Sequence, residues 1–247
     1  MWRILVLILL ILLIIKFRYG REKFTINKNK YDVYVINLKK DVVRWKYIRK
    51  KLINQDFKTT RIEGVDGKIL NFKEKKYTQI FTSNKLSPSQ KGCALSHIMI
   101  WNKLLNGNPE DLIIILEDDA IIPNNLNEKL DMYIKQAPTN WDMIILGGNR
   151  FKGTYYSKNL IKPVINKYGN WGTFGYMIKR KCIKKLLDCC QTMDNTIDHY
   201  LNLNFYSQNN VYFCNPQIIK HNYNYHSNIL NKKRSEESIR NNKITII

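Results

Sequence analysis

The feature that most restricts the fold of this chain is a short apolar run followed at once by three acids. Residues 112–116 are five consecutive apolar residues, and Glu117, Asp118 and Asp119 come directly after them. A run of this length suits a central strand covered on both faces, as in the parallel sheets of α/β proteins. Because ligands bind outside the carboxyl ends of such strands, the three acids are predicted to lie at a binding site.

Strand and helix patterns alternate along the rest of the sequence. Apolar and β-branched patterns predict strands over residues 31–38, 59–65, 141–146, 172–178, 211–213 and 218–220. Helical spacing predicts helices over 41–54, from Ser87 or Ser89 through Leu105, and over 125–136, 181–190 and 197–203, while 73–85 is predicted to be a loop. This alternation predicts a single α/β domain with a mostly parallel, Rossmann-like sheet flanked by helices. Asn37 and Gly147 would then lie at the same edge of the sheet as the acids.

The acidic triplet has two interpretations. In an extended chain, Glu117 and Asp119 point to one face and Asp118 to the other. Clustered carboxylates repel one another unless a cation or hydrogen bonds compensate, and hard oxygen ligands favour Mg²⁺ or Mn²⁺. Such an ion would bridge a diphosphate and neutralise charge as that group departs. The alternative is a solvated loop or a cap of the following helix, and position alone leaves both open.

The charge and the cysteines restrict the possible partners less strongly. A net charge of +21 fits either an anionic partner or a composition rich in Lys, Asn and Ile, and the scattered lysines favour composition. No DNA or RNA recognition motif is visible in the sequence, so no nucleic-acid partner is expected. The five cysteines are odd in number and form no CxxC pair, which supports neither a disulfide framework nor a zinc site.

Seven segments together carry a resemblance to a known family. They are VYVINLKKDVVRW (33–45), EGVDG (63–67), LSPSQKGCALSHIMIW (86–101), ILEDDA (115–120), WDMIILGG (141–148), GTFGYMIKRKCIKKLL (172–187) and IDHYL (197–201). In this order they resemble glycosyltransferase family 25, which includes lipooligosaccharide galactosyltransferases and collagen hydroxylysine galactosyltransferases. The GCALSH and LEDD segments are the most specific.

The resemblance implies a GT-A type fold and metal-dependent transfer of a hexose from a nucleotide-sugar donor to a hydroxyl of a glycan or protein acceptor. UDP-galactose is the commonest donor of the family, transfer with inversion is implied, and Mn²⁺ (or Mg²⁺) is the expected cofactor. By similarity Asp119 is the direct metal ligand, and a late histidine, His221, would complete the metal site. The predicted donor-binding residues are Asn37, Arg44, Asp66, Ser96, His97, Glu117 and Asp118.

Asp198 is the predicted general base, because an inverting transfer needs a base near the acceptor hydroxyl. A capping role is the alternative for Asp198, and packing of a helix against the sheet is the alternative for His97. Two positions depart from the family pattern: Gln90 stands where Glu is frequent, and Asn228 replaces the acid of a Ser-Asp-Ile motif. These departures favour a second hypothesis, a catalytically inactive GT-A-fold protein that binds a glycan or a nucleotide. The intact acidic triplet favours the enzyme.

The first 30 residues are predicted to form a membrane anchor and a stem. Residues 4–15 are an unbroken apolar run between Arg3 and Lys16, and few small residues for a cleavage site follow. We therefore predict a single-pass membrane protein with a signal anchor over 1–18, a short basic stem over 19–30, the GT-A domain over 31–225 and a polar tail over 226–247. The positive-inside rule favours a cytosolic domain, whereas a glycosyltransferase of the secretory pathway would have a lumenal one, so the side stays open.

Overall fold

The computed structural model describes residues 31–225 and 245–246. The predicted membrane anchor, the basic stem and most of the polar tail lie outside the described residues, as does Asn228. Among the residues that are described, no helix combines the length and the apolar character needed to cross a bilayer.

The described chain alternates strands with helices, close to the predicted bounds. The strands are β1 (Asp32–Asn37), β2 (Lys58–Glu63), β3 (Leu112–Glu117), β4 (Ala120–Ile121), β5 (Met143–Asn149), β6 (Lys152–Tyr155), β7 (Leu160–Pro163), β8 (Trp171–Lys179), β9 (Val211–Cys214), β10 (Lys220–His221) and β11 (Thr245–Ile246). The α-helices are α1 (Val42–Ile53), α2 (Lys75–Thr78), α3 (Pro88–Leu104), α4 (Leu126–Gln136), α5 (Ile183–Cys189) and α6 (Ile197–Asn204). Short 3₁₀ helices span Gly67–Ile69 and Arg180–Cys182.

A central sheet of nine strands has the order β11-β6-β7-β9-β5-β8-β3-β1-β2. Of its strands, β7 and β8 pair antiparallel with both of their neighbours, and the other seven therefore run in one direction. The predicted α/β class with a mostly parallel sheet is confirmed. The strands β4 and β10 form a separate antiparallel pair.

Two apolar cores lie on opposite faces of the sheet, because alternate residues of β3 belong to different clusters. Ile113 and Ile115 pack in one core with Trp101 of α3, whereas Ile114 and Leu116 pack in the other. These four β3 side chains are all 0% exposed. The apolar run is therefore a central strand buried on both faces, as its composition predicts.

Helix α3 begins after Ser87, one of the two caps that the sequence offers. Ser87 Oγ accepts a hydrogen bond from Gln90 N at 3.3 Å, and Gln90 Oε1 accepts one from Ser87 N at 2.8 Å. This reciprocal pair is a capping box, which either a glutamine or a glutamate can close. The departure from the family pattern at Gln90 therefore leaves the start of α3 intact.

Several parts of the structure are not predicted from the sequence. β6 and β7 form an antiparallel hairpin where only a connection is expected, β11 pairs with β6, and β8 runs against its neighbours. The segment 152–163 shows no regular apolar alternation, and a strand buried on both faces carries no sequence signal of its direction. Within the predicted loop 73–85, the single helical turn of α2 forms. The hairpin and β11 lie at the opposite edge of the sheet from β2.

Candidate active site

The acidic triplet lies at the carboxyl end of β3, in the turn that leads into β4. The side chains of Glu117, Asp118 and Asp119 are 23%, 9% and 17% exposed, so none of them projects freely into solvent. Helix α4 begins only after its N-cap residue Asn125, so the acids cap no helix there. The alternatives of a solvated loop and a helix cap are therefore wrong.

Asp118 is held by β1 and by the helix that follows it. Asn37 Nδ2 donates to Asp118 Oδ2 at 2.5 Å, and Arg44 Nη1 donates to Asp118 Oδ1 at 3.2 Å. Arg61 orients the amide by donating from Nε to Asn37 Oδ1 at 2.8 Å. Burial, followed by the neighbouring Asp119, raises the pKa of the Asp118 carboxyl to about 7, although Asn37 and Arg44 act in the opposite direction. The structure thus brings together Asn37, Arg44 and Asp118, three of the predicted donor-binding residues.

We expect this raised pKa to make the stability of the metal-free protein depend on pH. A carboxyl group whose pKa is about 7 when folded, against its ordinary 3.8, binds more protons in the folded state. Its contribution to stability is therefore lost as the pH rises through this range. Between these two values, the unfolding free energy of the parent should fall relative to that of Asp118→Asn, which does not titrate. Urea unfolding at several pH values in a chelator measures both, and parallel pH profiles would contradict the assignment.

Glu117 ends a chain of polar contacts on the other face of the sheet. Thr173 Oγ1 donates to Glu117 Oε1 at 2.8 Å, and His97 Nε2 lies 3.4 Å from the same oxygen. His97 Nδ1 lies 2.9 Å from Tyr176 Oη, which also accepts from Trp101 Nε1 at 3.0 Å. The indole can only donate to Tyr176 Oη, whereas the contact between Tyr176 Oη and His97 Nδ1 can run in either direction, according to the His97 tautomer. His97 therefore both packs α3 against the sheet and contacts a predicted donor-binding residue.

The short β4–β10 pair brings Asp119 to His221. In this pair His221 lies opposite Ala120, and Asn222 N donates to Asp119 O at 2.7 Å. The His221 Nε2 atom consequently lies 3.0 Å from Asp119 Oδ2. The two residues that the sequence and the family resemblance indicate as metal ligands are therefore neighbours in the fold.

The Asp119–His221 pair fits a divalent ion. Adjacent ligand atoms of an octahedral ion with bonds of about 2.1 Å are about 3.0 Å apart, and the separation of His221 Nε2 and Asp119 Oδ2 is 3.0 Å. The carboxylate suits Mg²⁺ or Mn²⁺, and the imidazole favours the transition metal of the two. His221 Nδ1 is buried without a hydrogen-bond partner in the described structure, so no such bond fixes the imidazole tautomer. This donor set suits Mn²⁺ better than Mg²⁺.

One glycine of β5 explains how the segment that carries His221 reaches the acids. A Cβ atom on Gly147 would meet the carbonyl oxygen of Ile219 at 2.1 Å. Only glycine lets two backbones approach this closely. Ile218 and Ile219 both donate from their backbone nitrogens to Leu146 O, at 2.9 and 3.0 Å. Gly147 therefore seats the 218–221 segment against β5, which positions His221.

Asp198 lies in the first turn of α6 and holds the start of β8. Its Oδ2 accepts from Gly172 N, and its Oδ1 accepts from the backbone N–H of the next residue, both at 2.9 Å. Gly172 has a φ of +100°, a backbone conformation that favours glycine. This matches the structural alternative for Asp198, and its role as a general base stays a prediction. Burial raises the pKa of the Cys93 thiol, and the charges of Glu117, Asp198 and Asp119 act in the same direction.

Two predicted donor-binding residues are engaged in local contacts. Ser96 Oγ donates to Gly92 O and accepts from Val65 N, both at 2.8 Å. Asp66 caps the following 3₁₀ helix and forms an ion pair with Lys40, whose hydrogen bond lowers the pKa of the Asp66 carboxyl. Asp66 also lines a surface groove of about 470 Å³ beside β2, whose lining does not include the acidic triplet. Donor binding by Asp66 and Ser96 stays a prediction.

The sequence does not single out Arg61, Tyr176 or Tyr225. Arg61 and Tyr176 orient side chains of the site as described above, and the ring centre of Tyr225 lies 5.0 Å from the Arg44 guanidinium. Tyr176 lies in the family-like segment 172–187, directly opposite Ile115 of β3. A correct prediction of how β8 pairs with β3 would therefore have indicated Tyr176 as a site residue. Arg61 and Tyr225 lack such a signal, because their contacts depend on the packing of distant segments.

The fold and the site define an α/β protein with clustered acids at the carboxyl edge of its sheet. Comparison with known families agrees with this class. The model of glycosyltransferase family 25 (LPS biosynthesis protein) matches residues 30–201. Because this match covers most of the chain, the chain belongs to glycosyltransferase family 25. The GT-A type expected from the resemblance is consistent with the observed α/β sheet.

Curated relatives cover a similar part of the chain. Procollagen galactosyltransferase 2 of Homo sapiens is 29% identical over 171 residues, which are 63% of this chain and 27% of the relative. Lipooligosaccharide biosynthesis protein lic2B of Haemophilus influenzae is 29% identical over 167 residues, which are 62% of this chain and 61% of the relative. The chain thus spans less than two thirds of the length of either protein. Among solved structures, mouse xyloside xylosyltransferase 1 has a TM-score of 0.37 at 10% identity, covering 70% of this chain and 68% of that one.

Proposed function

We propose that this chain is a metal-dependent hexosyltransferase with a nucleotide-sugar donor. The proposed donor is UDP-galactose, transfer is proposed to invert the anomeric configuration, and the acceptor is a hydroxyl of a glycan or a protein. The observation that carries the proposal is the Asp119–His221 pair at the carboxyl end of β3, in a chain that belongs to family 25. The choice of galactose is supported by a relative named as a galactosyltransferase.

One group of residues, beyond the carboxyl end of β3, would bind the nucleotide part of the donor. Asp119 and His221 would hold Mn²⁺ or Mg²⁺, and the bound ion would supply positive charge to the diphosphate leaving group. Asp118 presents carboxylate oxygens to the hydroxyls of the nucleotide, and Asn37 and Arg44 hold that carboxylate in place. Because these side chains are fixed by protein contacts before the donor arrives, little reorganisation is needed when it binds.

A second group of residues, Glu117 with its neighbours and Asp198, would orient the transferred sugar and the acceptor. Glu117 is oriented by Thr173 and lies beside His97, and it is proposed to accept hydrogen bonds from the donor. Asp198 is proposed to take the proton of the acceptor hydroxyl as the new C–O bond forms. Its two oxygens keep accepting capacity beyond their backbone hydrogen bonds, since a carboxylate offers about four lone-pair sites.

A donor screen tests this function. The full chain, purified in detergent, is incubated with UDP- and GDP-sugars with and without Mn²⁺, and release of the nucleoside diphosphate is measured. We expect Mn²⁺-dependent release from UDP-galactose above that from the other donors. Absence of metal-dependent release from every donor, together with retained UDP binding, would instead support the inactive nucleotide-binding protein.

We also propose that residues 1–18 anchor the protein in a membrane as a single-pass segment. The proposal rests on the unbroken apolar run over residues 4–15, which lies outside the described residues. Carbonate treatment of membranes that contain the full chain tests it. We expect the protein to stay with the membranes in carbonate and to be released only by detergent. Release without detergent would contradict it.

A further inference from the structure

Three side chains with metal-binding atoms converge at Glu117, the first residue of the acidic triplet. The proposed function gives one of them, Cys93, no role. Cys93 and His97 are four residues apart on α3, so they lie on the same face of the helix. Glu117 reaches this face from the end of β3. The Cys93 sulfur, an imidazole nitrogen of His97 and a carboxylate oxygen of Glu117 all lie within 4.8 Å of one another.

The charges around Cys93 favour a cation at this position. The carboxylates of Glu117, Asp198 and Asp119 all act on its thiol and, together with burial, keep it protonated by raising its pKa. A cation that binds the sulfur displaces this proton and offsets the repulsion among the carboxylates. The same negative potential that disfavours a bare thiolate therefore favours a thiolate bound to a metal.

The donor set indicates which cation. A thiolate, an imidazole and a carboxylate are the ligands that Zn²⁺ takes in tetrahedral sites, whereas Mg²⁺ and Mn²⁺ prefer oxygen. Neighbouring N and O ligands on a tetrahedral ion with bonds of about 2.1 Å are about 3.4 Å apart, and His97 Nε2 and Glu117 Oε1 are 3.4 Å apart. The Glu117 side chain is 23% exposed, which leaves a path for the ion and for a water at the fourth position.

We propose that Cys93, His97 and Glu117 form a second cation site, of the Zn²⁺ class, separate from the Asp119–His221 pair. On binding, the thiol proton goes to solvent and Sγ becomes a ligand. His97 binds the ion through Nε2 as the tautomer that carries its proton on Nδ1, where Tyr176 Oη accepts it at 2.9 Å. Zn²⁺ held here would occupy Glu117 and compete with the sugar donor. That consequence rests on the proposed function, but the binding itself does not.

Cysteine spacing alone predicts no zinc site, because this site draws two ligands from one helix turn and the third from a strand.

The test is Co²⁺ and Zn²⁺ binding to the full chain after treatment with a chelator. We expect the Co²⁺ complex of the parent to show the intense near-ultraviolet band of a cobalt–thiolate bond. The band should persist in Cys189→Ser, a matched change at another half-buried free thiol, and disappear in Cys93→Ser.

The affinity for Zn²⁺ provides the quantitative measure. Loss of a partner that only supports a ligand costs about 10–100-fold in affinity, so loss of the sulfur ligand in Cys93→Ser should cost at least about 100-fold. Equal Zn²⁺ affinity in the parent and Cys93→Ser, or a parent Co²⁺ complex without the thiolate band, would overturn the proposal. In Asp119→Ala the band should remain, and its loss would place the thiolate on the Asp119 ion and overturn the separate site.

A second measurement covers the case in which Cys93→Ser does not fold. Zn²⁺ should slow the alkylation of Cys93 in the parent, measured by mass spectrometry of the labelled peptide, but not the alkylation of Cys189. Equal labelling of Cys93 with and without Zn²⁺ would overturn the site. Both readouts are independent of sugar transfer. A failed donor screen therefore does not contradict the Zn²⁺ site, and failed Zn²⁺ binding does not contradict the proposed donor site.

Discussion

Replacing Asp119 with alanine is expected to lower metal-dependent sugar transfer by about 10²–10³-fold, the usual loss when one preorganised contact to the transition state is removed. Asp119 Oδ2 lies 3.0 Å from His221 Nε2, so the change removes one of the two side chains proposed to hold the ion. The rate of nucleoside diphosphate release, measured over a range of Mn²⁺ concentrations, gives the loss. Transfer at the parental rate would show that the ion is held elsewhere or is not needed.

Asp188→Ala is the matched control for this change. Asp188 is a half-exposed carboxylate of α5 that pairs with Lys184 at 2.7 Å across one helical turn. Such exposed pairs contribute about 0.3–0.5 kcal/mol to stability. Its removal should therefore leave both folding and transfer close to the parent, so that a general loss of acidic charge is not mistaken for loss of a metal ligand.

Gly147→Ala is expected to reduce the unfolding free energy by about 3 kcal/mol, the upper part of the usual range for overpacking. The added Cβ would meet the Ile219 carbonyl oxygen at 2.1 Å, and a backbone atom cannot move aside as a side chain can. If the 218–221 segment shifts to relieve the contact, His221 moves with it, so Mn²⁺ affinity should also fall. Urea unfolding and Mn²⁺ titration measure the two effects.

Gly64→Ala is the control for the change at Gly147. A Cβ on Gly64 would meet side-chain atoms of Ile36 and Leu38 at 3.2 and 3.3 Å and Ser96 Oγ at 3.5 Å, and side chains can adjust by small rotations. Its unfolding free energy should stay within about 1 kcal/mol of the parent, because alanine also reduces the entropy of the unfolded chain. Equal stability of the two variants would contradict the role given to Gly147.

The sequence predicts the local elements and the position of the triplet well, because both depend on short-range patterns. An apolar run of five residues suits a strand buried on both faces, and acids directly after such a strand lie at its carboxyl end. The cap of α3 at Ser87 is likewise one of two local candidates in the sequence. The orientation of β8 cannot be read from the local sequence, because its direction depends on which strands it joins.

The contacts that complete the site depend on long-range packing. His221 meets Asp119 only because β4 and β10 pair across about a hundred residues and because Gly147 lets the chain cross β5. In the sequence, His221 is one of four histidines, and only the family resemblance favours it. The cluster of Cys93, His97 and Glu117 shows the same limit. The spacing of Cys93 and His97 places both on one face of a helix, but nothing in the sequence shows that Glu117 meets them.

Binding of Mn²⁺ to the full chain in the presence of UDP tests the central claim most directly. Electron paramagnetic resonance reports the free ion during a titration of the parent, Asp119→Ala and Asp188→Ala. The account predicts one tightly bound ion per chain in the parent and in Asp188→Ala, and its loss in Asp119→Ala. Equal binding by all three proteins would show that the acids at the end of β3 do not hold the metal.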